Sequence, residues 1–319
     1  MVKIIPVASG KGGVGKSLVT ANLGLRLAQK GKTVVLVDLD LGGSNLHSFI
    51  GVRNKHTGIG GYIYKQADSL EACITPTDYP KLFLIPGDSL YPGTANLPFF
   101  MKQRILKDLQ KTVADIVLLD LGAGSSYNTI DFFLSSWSSL MVTTGEPTAI
   151  LNAYSFLKTA VFRLMYRSFP AKSAERAMVV DFVGKKIEGE EVSFYDLLDS
   201  LYAADPDSGA LLRSNLKQLI PRVVVNMGRS DLDLGIGRKL RDISRKNIGV
   251  EMEYLAFLPF AEEAQTALIR RTPLISLNPA SDFSKALDRL ADDLLLRLDG
   301  GAPELHDEDI ENLEGSLRN

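Results

Sequence analysis

One stretch constrains this chain more than any other: Gly10-Lys11-Gly12-Gly13-Val14-Gly15-Lys16-Ser17. Its glycines let successive backbone N–H groups converge on a phosphate chain, Lys16 reaches the β/γ oxygens, and the Ser17 hydroxyl can ligate Mg²⁺. The apolar run Ile4 to Ala8 reads as a strand entering the loop, and Leu18 to Gln29 leaves it with helical periodicity until Gly31. Strand, loop and helix in that order make a triphosphate cradle. A glycine-rich turn that binds nothing would need neither the lysine nor the flanking pattern.

The same residues satisfy a second pattern. Gly10, Gly12 and Gly15 fit G-x-G-x-x-G, and Asp38 at the end of the next strand would then hold a ribose hydroxyl of a dinucleotide. A pyrophosphate turn has no use for Lys16 and Ser17, nor for the further carboxylates described below. The phosphate-loop reading therefore takes precedence.

Around this loop the chain is ordinary: 319 residues, 45% hydrophobic, 23% charged, with a formal net charge of -2. That balance exerts no global pull on nucleic acid or membrane, so any such binding must be local. One cysteine, Cys73, excludes an intramolecular disulfide framework and reads as a buried apolar residue. The N-terminus runs straight into a strand without a signal-peptide pattern, and no apolar stretch approaches the ~20 residues needed to span a bilayer. A cytoplasmic location is expected.

Further apolar, β-branched runs occur at Thr33–Val37, Leu82–Ile85, Ile116–Leu119, Leu140–Thr143, Val223–Val225 and Tyr254–Leu258. Continuous rather than alternating apolarity suits strands buried on both faces, which predicts an α/β fold with a doubly wound, mostly parallel sheet of P-loop NTPase type. A long helix is expected over Pro147–Phe169. Helix-like pieces then interrupt the strand rhythm over 171–219, with Asp205–Gly209 read as a turn between them, and Phe194, Tyr195 and Tyr202 as candidate recognition anchors. This predicts one ATPase domain over 1–298 with a helical insertion at 171–219. Residues 299–319 carry seven carboxylates against Arg318 and read as a disordered acidic tail.

Ligands of such sheets sit beyond the carboxyl ends of the strands. Asp120 follows Ile116–Leu119, where a carboxylate reaches the magnesium shell. Asp38 and Asp40 stand two residues apart, so their side chains are expected to point the same way, Asp38 toward the metal's water shell and Asp40 orienting an attacking water. Ser17, Asp38 and Asp120 are thus the expected metal residues, and Lys11 and Asp40 the expected catalytic ones. Lys11 occupies a position that the general loop pattern leaves free, and a cation there can neutralise charge developing on a transferred phosphoryl group.

With its early lysine, Lys11-Gly-Gly-Val-Gly-Lys-Ser17 is a deviant Walker A box, and the chain resembles the MinD/ParA family of ATPases. Asp38-Leu-Asp40-Leu-Gly42-Gly-Ser-Asn45-Leu is similar to that family's switch I and Asp120-Leu-Gly-Ala-Gly124 to its switch II. Gly122–Gly124, Thr143–Ala149 and Val223–Met227 carry a likeness to its flagellar-number regulators (FlhG, YlxH). The resemblance implies ATP and Mg²⁺ as ligands, an ATP-dependent homodimer in which Lys11 crosses to the partner's nucleotide, and a protein partner from a flagellar or other positioning system. It also implies that Asn226 reads adenine, that the segment after Pro259 closes over the base, and that Gly10, Lys11, Gly12, Gly13, Val14, Gly15, Lys16, Ser17 and Leu18 bind the nucleotide.

Three places depart from the pattern. His47 stands where many relatives carry an acid, Ser17-Leu18 replaces the commoner pair of threonines, and the short N-terminal motif that activates a partner GTPase is missing. Asp282–Leu298 carries four acids against three bases, unlike a basic membrane helix, so its apolar stripe is expected to pack on the core. One basic cluster, Arg238, Lys239, Arg241, Arg245 and Lys246, lies on an expected helix over 238–246. An anionic surface, whether DNA, acidic lipid or an acidic partner, would fit there, and a solvated helix face is the simpler reading. The alternatives to a positioning ATPase are a partitioning ATPase that binds DNA nonspecifically and a nucleotide-binding module without turnover.

Overall fold

The computed structural model describes residues 2–53, 58–87, 97–229, 235–298, 301–303 and 305. Its apolar runs become the strands of one sheet: β1 (Lys3–Ser9), β2 (Val34–Leu39), β3 (Thr75–Pro76), β4 (Leu82–Ile85), β5 (Ile116–Ala123), β6 (Leu140–Thr144), β7 (Arg222–Gly228) and β8 (Glu253–Pro259). Their spatial order is β3-β4-β2-β5-β1-β6-β7-β8, parallel throughout except where the two-residue edge strand β3 runs against β4. The chain moves from β1 to β2 in one direction and from β5 across β1 to β6 in the other. The loop after β1 therefore opens at the point where strand order reverses, the crevice in which such sheets bind ligands.

Thirteen described helices cover the sheet or lie at its ends. They are α1 (Lys16–Gln29), α2 (Leu46–Phe49), α3 (Ile59–Ile63), α4 (Phe99–Leu109), α5 (Tyr127–Phe133), α6 (Pro147–Arg167), α7 (Ala174–Ile187), α8 (Phe194–Ala204), α9 (Pro206–Gln218), α10 (Ile236–Ile248), α11 (Ala264–Ile269), α12 (Leu274–Leu277) and α13 (Asp282–Leu296). Strand alternation sorts the core into two layers. Val34, Leu36, Ile116 and Leu118 pack with α1 and α13, whereas Val35, Val37, Val117 and Leu119 pack with α4–α10. The apolar stripe of α13, Phe283, Leu287, Leu290 and Leu294, is buried on α1's side of the sheet as expected. Among the described residues, no helix is long and apolar enough to cross a membrane.

Two local readings are corrected. Asp205–Gly209 is not a separate turn: Asp205 accepts the Ser208 N–H as N-cap and Pro206 takes the first position of α9, so α8 and α9 meet at a single residue. Phe194 is not an exposed anchor, because it is buried in the α4–α10 layer; Tyr195 and Tyr202 are exposed. Of the segment read as a tail, the described residues do not hang free. The Gly301 carbonyl accepts the Trp137 N–H at 3.2 Å, Pro303 is buried and Leu305 packs on the α6 side of the core. The other residues of 299–319 lie outside the described ones.

Candidate functional site

α1 starts without a side-chain cap. Its N-cap is Gly15 in the left-handed conformation (φ 80°), whereas α5, α7, α9 and α13 each begin with a side chain accepting a backbone N–H. The first-turn N–H groups of α1 thus find no side-chain acceptor at the cap, and they face an open cleft of about 660 Å³. Gly12, Gly13, Val14, Gly15, Lys16, Ser17 and Leu18 line this cleft together with Ser9, Asp40 and Ala123. Gly10 does not line it. A β-carbon there would fall 2.2 Å from the Asn152 carbonyl oxygen, so its glycine permits the loop to lie against the first turns of α6.

Asp120 organises the floor. It sits inside β5, which runs on to Ala123, and alternation aims it at α1. Its Oδ1 accepts from Lys16 Nζ (2.7 Å) and Thr20 Oγ1 (3.0 Å), and its Oδ2 from Ser17 Oγ (2.6 Å). The parallel register places Asp38 directly beside it on β2. Burial, and then the charge of Asp120, push the Asp38 carboxyl up to about 6, against hydrogen bonds from Ser44 Oγ and the Leu46 and Asp40 N–H groups.

The paired aspartates have different surroundings. Asp40 lines the cleft, while Asp38 is fully buried and held by the residues leading into α2. The cause is that β2 ends at Leu39, so strand alternation does not reach Asp40. Asp38 remains next to Asp120, and two buried carboxylates beside a serine hydroxyl are a donor set that suits Mg²⁺, which takes one or two carboxylates and keeps its waters. No group of three or more His, Cys, Asp or Glu that would cage a metal occurs among the described residues.

Lys11 turns away from the cleft. Its Nζ pairs with Glu146 Oε2 at 2.9 Å and lies 3.2 Å from Thr148 Oγ1, both at the start of α6. The pair is open to solvent, with side-chain exposures of 38% and 65%. Such a contact holds the lysine loosely.

Two expected base contacts are placed differently. Asn226, 2% exposed, gives its amide Nδ2 to the Val14 carbonyl (2.9 Å) and packs under Gly15, where a β-carbon would fall 2.3 Å from that nitrogen. It props the loop rather than facing the cleft. Pro259 ends β8 away from the described cleft lining, and the segment after it supplies Leu268, Ile269 and Arg271 instead, opposite Phe49 of α2. Thr20, Glu146 and Thr148 escaped the sequence reading as site residues. Thr20 has a legible signal, since it stands one helical turn after Lys16 on the same face.

Fold and cleft together define a P-loop NTPase. Residues 1–159 match the family model ParA, described as NUBPL iron-transfer P-loop NTPase. The chain is similar to the flagellum site-determining protein YlxH of Helicobacter pylori, 37% identical over 163 residues, covering 49% of this chain and 53% of that protein. It is also similar to the antiactivator FleN of Pseudomonas aeruginosa, 32% identical over 167 residues, covering 49% and 56%. The chain thus spans about half the length of these curated relatives. Among solved structures, the septum site-determining protein MinD of Pyrococcus horikoshii, complexed with Mg-ADP, shares the fold with a TM-score of 0.62 and 23% identity over 92% of this chain and 96% of that one. Over residues 1–159, which carry the loop, Asp38, Asp40 and Asp120, the chain is of the ParA/MinD type of P-loop NTPase.

Proposed function

We propose that this chain is a MinD/ParA-like ATPase switch that dimerises on ATP and hydrolyses it to control the placement or number of a large assembly, with flagella the leading case through its likeness to YlxH and FleN. The observation that carries this reading is the division between two lysines of one loop. Lys16 is buried on the cleft floor with Asp120, whereas Lys11 stands outside the cleft on a solvent-exposed latch. A lysine that stands outside its own cleft and is held only by an exposed pair is available to a second copy's.

In this reading Lys16 and the loop N–H groups bind the phosphates, and Ser17, Asp38 and Asp120 would hold Mg²⁺, which would supply positive charge to offset that of the phosphates. Asp120 exchanges its lysine and hydroxyl partners as the cleft fills. Asp40, on the cleft wall, accepts the proton of the attacking water and orients it. Lys11 leaves Glu146 and reaches across the dimer face to the partner's phosphates. The protein is expected in the cytoplasm, and at a membrane only through a partner.

Lys16→Ala should abolish ATP binding in calorimetry, whereas Lys11→Ala should retain it and lose ATP-dependent dimerisation in light scattering. Equal loss of affinity in both variants would remove the trans-acting role. One observation favours a second reading, an ATPase that carries cargo on DNA: Arg238, Lys239, Arg241, Arg245 and Lys246 all lie exposed on α10. ATP-dependent DNA binding that falls steeply with salt would favour it.

A further inference from the structure

Helix α10 carries charge that its neighbours hardly answer. It buries Ile236, Leu240, Ser244 and Ile248 and exposes Arg238, Lys239, Arg241, Arg245 and Lys246, with Asp242 among them. Two loose pairs touch this face: Arg241 Nε lies 3.7 Å from Asp242 Oδ1 and Arg245 Nε 3.3 Å from Glu251 Oε1, with all four side chains exposed. Such pairs hold little. Arg238, Lys239 and Lys246 make no ion pair among the described residues. Arg245 and Lys246, in the last turn, suit the negative end of the helix dipole, but Arg238 and Lys239 stand near its positive end, where the first turn holds no acid. Ile243, 42% exposed, sits one turn from both Lys239 and Lys246.

The complementary charge is in the same chain. The Trp137 N–H donates to the Gly301 carbonyl, the Ile220 N–H to the Trp137 carbonyl at 2.9 Å and the Glu253 N–H to the Pro221 carbonyl at 3.0 Å, contacts that follow the starting ends of β6, β7 and β8. α10 returns from the far end of β7 to the start of β8, so its last turn, with Arg245 and Lys246, lies at that same pole. Leu305 packs on the core layer that holds Ile236, Leu240 and Ile248 of α10. The chain therefore leaves Leu305 at the pole where α10 ends and on the face that α10 covers. Next come Asp307, Glu308, Asp309, Glu311 and Glu314, with Ile310 and Leu313 between them. Residues 306–314 reach ~30 Å when extended, and α10 is ~20 Å long.

We propose that the acidic segment 307–314 lies across the exposed face of α10 and shields it, its five carboxylates on the five cations and its apolar residues on Ile243. The tether keeps the two at an effective concentration on the order of millimolar, so pairs that are weak singly act as a set. DNA or acidic lipid must displace the segment before it reaches α10, and salt loosens the shield. The contact is independent of what fills the phosphate cleft.

Carbodiimide coupling of the full chain, read by peptide mass spectrometry, tests the contact, because it joins a carboxylate to an amine only where the two touch. Lys239 and Lys246 should couple to acids of 307–314 within the monomer, and about 0.5 M salt should abolish the links by screening. The absence of such links, links spread equally over lysines remote from α10, or links formed only between copies would overturn the proposal. A second measurement takes a mixed-sequence DNA duplex as the probe polyanion, by fluorescence anisotropy at low salt. The combined variant Asp307→Asn, Glu308→Gln, Asp309→Asn, Glu311→Gln and Glu314→Gln should bind it about tenfold tighter than wild type, the gain expected if the segment is docked about nine-tenths of the time. Adding Arg241→Ser and Arg245→Ser, at exposed positions where folding is not at risk, should remove that gain. Unchanged affinity in the amide variant, or a gain that survives both serine changes, would also overturn the shield.

Discussion

Two buried aspartates, Asp120 and Asp131, stand eleven residues apart on β5 and α5 and do opposite things. Asp120 is satisfied by one lysine and two hydroxyls, all from the helix that opens the cleft. Asp131 is surrounded by cations: Lys102 Nζ at 2.5 Å, Arg163 Nε at 2.9 Å and Arg167 Nη1 at 3.2 Å, from α4 and α6. Arg167 is fully buried with its guanidinium over the Phe99 ring at 3.8 Å, and Arg163 lies over Tyr127. Burial alone would raise the Asp131 carboxyl, yet Arg163 and Lys102 hold it below its ordinary value. A carboxylate whose donors Lys16 and Ser17 themselves line the cleft can change partners when the cleft fills. One locked among three cations between α4, α5 and α6 is a rivet.

The sharpest break in that comparison is Asp131→Ala. It should destabilise the fold by about 3–5 kcal/mol, because it strips a counter-charge from buried cations, and urea unfolding will measure it. A loss under 1 kcal/mol would show the cluster to be dispensable. Its pH signature follows from the sign of the shift. A carboxyl depressed in the fold contributes stability that is complete above its unfolded value and is lost as pH falls through the folded one. Acid unfolding of the wild type should therefore include a component below the ordinary aspartate value that Asp131→Asn lacks.

At the cleft, Asp40→Ala should slow phosphate release by ~10²-fold, as loss of a general base does, while ATP affinity and folding stay intact. Wild-type turnover in that variant would remove Asp40 from the chemistry. The smallest effect belongs to Glu146→Ala. An exposed ion pair is worth ~0.2–1 kcal/mol, so stability should scarcely move, while the freed Lys11 should let the ATP-dependent dimer form at a few-fold lower protein concentration in light scattering. A dimer that forms less readily would mean that Glu146 belongs to the assembled interface rather than to a latch.

What the sequence discloses about these two sites differs for a physical reason. The loop, Lys16, Ser17 and Asp120 are legible because phosphate binding imposes fixed spacing, and the long strands because burial on both faces leaves unbroken apolar runs. β3 has only two residues and no such run. The direction of Asp40 depends on where β2 stops, and the orientation of Asn226 on which neighbour its amide meets, Val14 rather than a ligand. Resemblance carries a position from one protein to another, but not a rotamer. The approach of the Arg271 carbonyl to Gly51 leaves no local mark, since the two segments meet only in space. The Asp131 cluster is equally silent, its four members being scattered from Lys102 to Arg167 and joined only in space.

The crossing of Gly301 beneath Trp137 has an optical consequence. The chain carries a single tryptophan, and it lies just before β6, at the end of the sheet remote from the phosphate loop, hydrogen-bonded to Gly301 on one side and to the residue entering β7 on the other. Its emission is blind to direct contact with a nucleotide. Any intensity or wavelength change on adding ATP must have travelled the length of the strands, so the indole is a built-in distant witness, able to report whether filling the cleft is felt at the opposite pole.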